Sequence, residues 1–432
     1  MALAGNRGCR RRRVLLVTSL AITTGCGDIL SLEQSNPGQV DASSLFVPSN
    51  AQLLVNGAIA DFECAYSRYV LASGILSDEV GAAIANTGNF DYDRRTFTPA
   101  GPYAGGCGAV QQPGFYTAIS TARADADTVY ARVSEWTDDQ VPNRARLLGQ
   151  LMAYAGYSLI VLGEGMCSAA INVGPELSSR QLFEEAKLRF DKAVTHATAA
   201  NDATTLSMAR LGRARTLRNL GSLSLAAVDA ALIPAPFVLN ISTDAVNVRR
   251  QNVVFVHITQ NFWGTVEQSF RNVTLGAAAD PRVAVTNSGR VGTAASTPIW
   301  TPNKYPAATT PIPVARYAEA QLIIAEARIA AGDLPGAAAA ISAARNSSGR
   351  TGLPSYDATG QTAAQVREQL IEERRRELFL EGHRLWDIRH FALPLSPAAG
   401  AAYPVGGGTY ADLRCFPLPN VERNNNPNIP KP

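Results

Sequence analysis

Thr362–Phe391 reads TAAQVREQLIEERRRELFLEGHRLWDIRHF, a charged segment with a helical period running through it. Thr362 followed three residues later by Gln365 is a capping box, in which each side chain satisfies a free backbone N–H at a helix start. Val366, Leu370, Leu378, Leu385 and Ile388 then recur at helical spacing and predict one buried stripe as far as about Phe391. Arg374 and Glu381 fall on or beside that stripe, and charges on a core face need partners. Glu373 and Arg376, Arg374 and Glu377, and Glu381 and Arg384 are each three apart, so neighbours on the same helix are expected to supply some of them. Gly382 costs about 1 kcal/mol in a helix interior relative to Ala, which points to another backbone approaching closely there.

The run Glu373-Arg374-Arg375-Arg376-Glu377-Leu378, followed by Glu381-Gly382, Arg384 and Asp387, closely resembles the C-terminal signature of the SusD/RagB family of nutrient-binding outer-membrane lipoproteins. Upstream, Pro313-Val314-Ala315-Arg316-Tyr317-Ala318-Glu319-Ala320-Gln321-Leu322, then Ala325-Glu326-Ala327 and Gly332-Asp333, is similar to the family's preceding helix pair. Downstream, Phe416-Pro417-Leu418-Pro419, Glu422 and Asn426-Pro427 resemble its closing segment. The resemblance runs from about residue 304 to 429 and is diffuse before that. It implies a helical scaffold with long irregular insertions, sitting as a lid on a SusC-like TonB-dependent transporter and passing it a glycan or a peptide.

The N-terminus stands apart. Arg10–Arg13 form a basic cluster, Val14–Thr23 is a short apolar run, and Gly25-Cys26 follows, the pattern of a secretory signal. The run falls short of the roughly 20 apolar residues that span a bilayer. Thr23-Thr24-Gly25-Cys26 resembles a lipobox, with Thr23 in place of the usual Leu, and makes Cys26 the expected lipidation site. Residues 1–25 are then signal peptide and 26–48, rich in Pro, Ser, Gln and Asn, a tether to a domain spanning 49–432. Cleavage removes five arginines and takes the formal charge from +3 to −2, so no electrostatic footprint for nucleic acid remains. With the leaflet taken from the resemblance, the expected location is the outer membrane, facing outside the cell.

At 432 residues and 46% hydrophobic content the chain can bury a large core. Cys64, Cys107, Cys167 and Cys415 remain in an exported chain, which permits up to two disulfides in three connectivities. Pairing of Cys64 with Cys107 is favoured. No Cys-x-x-Cys pair occurs to suggest thiol redox chemistry or zinc.

Helical periodicity covers Ser49 to about Ser77 (a first helix continuing to a second near Val70), Phe115–Trp136, Arg144–Leu162, Ser179–Ala200, Leu206 to about Leu232, and the segment after Arg316, nearly apolar all round at Ala320–Ala331. In Leu182-Phe183-x-x-Ala186-x-x-x-Phe190-x-x-Ala193, large residues and alanines share one face, which allows close antiparallel packing. Gly221-Ser222-Leu223-x-x-Ala226 recurs as Gly332-Asp333-Leu334-x-x-Ala337, each at a turn between two helices, a tetratricopeptide-like unit. Asp78–Pro113 reads as loop, and Pro234–Pro313 is irregular apart from a short strand expected at Val253–Val256. The fold class is therefore mainly α: tetratricopeptide-like helix pairs forming a scaffold, with long irregular loop insertions at about 78–113 and 234–313 and little β-structure.

Rigid elements holding aromatic-rich loops are the anatomy of a binding protein. Trp and Tyr present a flat apolar face and a polar edge, suited to a sugar ring or a peptide side chain. The candidates are Asp78, Asn89, Phe90, Tyr92, Trp263 and Trp300, set against the plain alternative that each aromatic plugs a gap between loop and scaffold. Aromatic content of 7% is modest for a long glycan platform, although two stacking residues suffice. An enzyme reading rests on His383, Asp387 and His390 on one helix face, a possible metal set; Arg384 and Arg389 beside them oppose a cation and no His-Glu-x-x-His motif occurs. No Gly-x-Ser-x-Gly elbow and no strand-borne phosphate loop are present, so no catalytic residue and no cofactor is assigned. A surface hydrolase or a lipid-anchored adaptor that binds only protein would share the signal and the helices; a pure adaptor needs few insertions.

Overall fold

The computed structural model describes residues 42–108, 111–294, 296–347 and 349–431. The signal peptide, Cys26 and most of the expected tether lie outside them. The chain divides into Met1–Leu45, described only at one helical turn, α1 (Ala42–Leu45), and Phe46–Pro432. The second unit carries α2 (Ala51–Leu76), α3 (Thr87–Arg94), α4 (Tyr116–Glu135), α5 (Arg144–Gly165), α6 (Ser179–Ala199), α7 (Ala203–Asn219), α8 (Leu223–Ala230), α9 (Tyr317–Ala330), α10 (Leu334–Arg345), α11 (Ala363–Glu377), α12 (Arg384–His390) and α13 (Asn420–Asn425). From α4 to α11 each helix packs on the next in chain order, with α2 against α4 and α5. The mainly α, tetratricopeptide-like scaffold is what the pattern predicts.

Glycine spacing explains how closely the central pair approaches. Gly149, Gly156 and Gly163 of α5 stand seven apart, as do Phe183, Phe190 and Ala197 of α6. Running antiparallel, the two rows meet: a Cβ at Gly156 would lie 2.7 Å from Phe190 Cζ, one at Gly163 2.5 Å from Phe183 Cε1, and one at Gly149 3.2 Å from Ala197 N. The rings thus sit directly on the α5 backbone. α5 is long and apolar enough to cross a membrane, but here it is the buried core helix.

Among the described residues the strands form five antiparallel pairs: β1 (Val80–Ala82) with β5 (Gly264–Val266), β2 (Ser168–Ala170) with β3 (Glu176–Ser178), β4 (Val238–Asn240) with β10 (Pro313–Arg316), β6 (Thr274–Leu275) with β7 (Ala278–Ala279), and β8 (Val285–Val291) with β9 (Pro298–Pro302). Disulfides join Cys64 to Cys107 and Cys167 to Cys415, with Cα–Cα separations of 6.1 and 5.0 Å.

Several local expectations are corrected. Ala51–Leu76 is one continuous helix rather than two, while the expected turn at Gly221 divides Leu206–Leu232. The stretch read as loop contains α3, whose first turn is capped by Asn86 accepting from Gly88 N and Asn89 N. Phe255–Gln260 is a π-helical segment, with Asn252 Oδ1 accepting from Val254 N and Phe255 N, 3.1 Å each. A short apolar run does not distinguish a strand from a buried helical piece.

The largest correction falls on Thr362–Phe391. The capping box is present, but the helix stops at Glu377 and resumes at Arg384. Leu380 and Gly382 take φ of 54° and 78° in the break, and a Cβ at Gly382 would meet Tyr69 Cε1 at 3.1 Å, so an aromatic ring rather than a backbone fills that space. Distant groups take up several of the freed backbone groups: Leu380 N donates to Glu79 Oε1 (2.8 Å), while Lys304 Nζ, Tyr305 OH and Tyr66 OH donate to the carbonyls of Phe379, Leu380 and Glu381. The motif's charges find distant partners: Glu373 takes Arg282 and Arg345, Glu377 takes Arg316 and Arg350, Glu381 takes Arg316 and Lys304, Arg374 takes Asp387, and Arg384 takes Asp78.

Candidate ligand-binding face

Two insertions meet at β1 and β5. Val80 pairs with Val266, Gly81 with Thr265 and Ala82 with Gly264, and Ala83 N donates to Trp263 O at 2.9 Å. β9 joins through a side chain: Trp300 N donates to Thr265 Oγ1 at 2.9 Å, and that hydroxyl donates to Pro298 O at 2.9 Å. Trp263 and Trp300, 37 residues apart in sequence, are thereby fixed on one small β layer. At Gly81 the Glu267 carboxyl occupies the space a Cβ would need, so a larger residue there would displace that carboxyl.

Both tryptophans are half-buried. Trp263 meets the His257 ring edge-on, centroids 5.8 Å apart, and Arg271 lies 5.3 Å over the Trp300 ring. Phe262, absent from the sequence-based candidates, is also half-buried; it takes φ of 56°, with Arg290 5.3 Å over its ring. Nothing local in the sequence marks it except its neighbour Trp263. Phe90, on α3, is half-buried with its ring edge-on to Tyr403, centroids 5.8 Å apart.

The other candidates lie inside. Asp78 is 4% exposed and receives two 2.7 Å bonds from Arg384. Tyr92 is fully buried, donates to Pro113 O at 2.7 Å and packs edge-on against Phe97 and Phe416. Asn89 is fully buried, and neither amide atom has a hydrogen-bond partner. Of the metal alternative, His383 is buried among Arg215 and Arg374, and desolvation with their charge holds its pKa well below the usual value. Asp387 is engaged by Arg374 and Arg218, and His390 by Glu326.

The layer rests on buried acids. Asp93 Oδ2 accepts from Ala82 N and Tyr403 OH, both at 3.0 Å, yet burial, with Glu267 adding to it, pushes its pKa up to about 7. Glu79 is pushed to about 8 by burial, against the lowering effect of the Leu380 N–H bond. Burial thus shifts both carboxyls towards the protonated form while they accept the hydrogen bonds that hold the strand. What reaches the surface is flat aromatic area flanked by guanidinium groups, an arrangement suited to stacking and hydrogen bonding.

Residues 268–429 match the SusD family. Over this C-terminal part the chain is similar to the SusD family. SusD-like solved structures share its fold along nearly their whole length. A SusD superfamily protein from Bacteroides vulgatus is 16% identical, with 89% of this chain and 98% of that one covered at a TM-score of 0.66. A SusD-like carbohydrate-binding protein, also from Bacteroides vulgatus, is 14% identical, with 89% and 97% covered and a TM-score of 0.63. A laminarin-binding SusD-like protein is 15% identical, with 88% and 98% covered and a TM-score of 0.63. No curated protein matches the chain.

Proposed function

We propose that this SusD-like chain is a non-catalytic, lipid-anchored outer-membrane protein that captures a glycan and passes it to a SusC-like TonB-dependent transporter. The observation that carries the reading is the set of half-buried rings, Phe262, Trp263 and Trp300, held on the β1–β5–β9 layer, with Phe90 on the adjoining α3. Their flat faces stack on sugar rings, and Arg271 and Arg290 supply hydrogen bonds to hydroxyls. The SusD-like relatives described as carbohydrate-binding and laminarin-binding support a glycan over a peptide. Anchoring rests on the basic cluster, apolar run and Gly25-Cys26.

Transfer to a transporter rests on the family and on an apolar helix face: Leu225 and Val228 of α8 are 57% and 62% exposed, as suits a surface covered by a partner. Affinity purification of the tagged, lipidated protein from native membranes tests this. Recovery of a large TonB-dependent barrel protein is expected. Recovery of only periplasmic or inner-membrane proteins favours the adaptor reading and removes the transporter from the account.

A further inference from the structure

At the foot of the β8–β9 hairpin, where Ala284 leads in and Asn303 and Lys304 lead out, lies a half-open cavity of about 720 Å³. That is within the range of small-molecule sites. Part of its lining is apolar, from Pro236, Phe237 and Val238 at the start of β4, and Val238 is 47% exposed. Six charged residues also line it: Arg282, Lys304, Arg316, Arg350, Glu377 and Glu381.

These charges differ in access. The side chains of Lys304 and Arg350 are 21% and 26% exposed, whereas those of Glu377 and Glu381 are 0% and 2%. The charge that meets an incoming molecule is therefore positive. The carboxylates beneath are oversubscribed: Glu377 serves both Arg316 and Arg350, and Glu381 serves both Arg316 and Lys304. Followed outward, the same connected network joins Arg282, Lys304, Arg316, Arg345, Arg350, Arg375 and Arg376 to only Asp280, Glu372, Glu373, Glu377 and Glu381 among the described residues. Two positive charges are left over. Glu79, whose charge also acts on Lys304, adds little compensation, because burial pushes its pKa up to about 8.

We propose that this cavity binds a small organic acid, its carboxylate met by Lys304 and Arg350 and its apolar body lying against Pro236, Phe237 and Val238. A carboxylate suits the accessible guanidinium and ammonium groups, and the apolar wall favours a hydrocarbon or aromatic body over a polyhydroxylated one. The site is separate from the aromatic face and does not rest on glycan capture there.

The test is calorimetric titration of the purified chain with hexanoate, 3-phenylpropionate and N-acetyl-leucyl-phenylalanine, beside their primary amides and inorganic phosphate. The acids are expected to bind and the amides to bind about tenfold more weakly or not at all. Lys304→Gln and Arg350→Gln should each weaken acid binding by about tenfold. Arg316 still pairs with both Glu377 and Glu381 in these variants, and a far-ultraviolet circular dichroism spectrum and melting temperature close to the parent's select the variants that are titrated. Val238→Asp, at an exposed wall position, should abolish acid binding by placing a carboxylate beside the ligand. The tightest binder among the three distinguishes a free acid from a peptide C-terminus. No binding by any acid, equal binding of the amides, acid binding untouched by all three substitutions, or phosphate binding as tightly as the acids overturns the proposal. Glycan binding in the same variants should be unchanged, which keeps this result distinct from the fate of the glycan reading.

Discussion

Arg316 Nε donates to both carboxylate oxygens of Glu381, at 3.1 and 3.0 Å, locking the start of α9 to the break between α11 and α12. Both partners are buried, and Glu381 is held below its usual pKa by Arg316 and Lys304 despite desolvation. Removing one member of such a pair strands the other charge in a poorly solvated site. Glu381→Leu is therefore expected to destabilise the fold by about 3–5 kcal/mol in chemical denaturation, with glycan affinity of the remaining folded protein intact. A well-folded variant that has lost only its ligand affinity would move this segment from scaffold to site.

Packing of α5 on α6 gives a second expectation. Phe190 is wedged between Gly156 and Gly212, so a methyl group at either glycine has no space without moving the ring. Gly156→Ala should cost about 1–3 kcal/mol through overpacking, even though Ala is the better helix former. A melting temperature equal to or above that of the parent protein would contradict the heptad contact of glycine against phenylalanine.

The pH dependence of stability follows from the acids under β1. Asp93 and Glu79 have folded pKa values raised to about 7 and about 8, so the folded state retains their protons at a pH where the unfolded chain has released them. Their contribution is therefore fully favourable below the unfolded values near pH 4 and is lost as pH rises towards 8. Asp280 acts in the opposite sense: Arg282 and Arg376 hold it at about 2, and its stabilisation is lost as pH falls from about 4 towards 2. Asp93→Asn and Glu79→Gln should raise the melting temperature at pH 8 and leave it unchanged at pH 4, as read by thermal unfolding across that range. A gain confined to pH 4 would contradict the assignment.

Lipid attachment is tested at Cys26. Cys26→Ala should abolish lipid labelling and release the protein from membranes, while retention with unchanged labelling would show that the Thr23-Thr24-Gly25-Cys26 reading is mistaken.

Helix positions and the tetratricopeptide-like pairing were legible because apolar period and turn glycines are local signals, as at Gly221 and Gly332. The break in Thr362–Phe391 was not, because its cause is distant: Glu79, Lys304, Tyr305 and Tyr66 replace the missing helical hydrogen bonds from other parts of the chain. The ion pairs were misplaced for the same reason, since i,i+3 spacing offers partners and cannot show that tertiary partners such as Arg316 or Asp78 compete for them. Among the candidate site residues, aromatic type alone did not separate Tyr92, inside an aromatic cluster, from Trp263 and Trp300, which retain surface. That separation depends on β1, β5 and β9 meeting across long sequence intervals.

The central claim is glycan capture by the rings on that layer. Affinity electrophoresis of the purified chain against a polysaccharide panel that includes laminarin, comparing the parent with Trp263→Ala/Trp300→Ala, tests it most directly. At about 0.5–1.5 kcal/mol for each lost stacking contact, the double variant should bind roughly tenfold more weakly, with an unchanged far-ultraviolet circular dichroism spectrum. A parent protein that binds no polysaccharide, or a double variant that binds as tightly as the parent, would contradict the account.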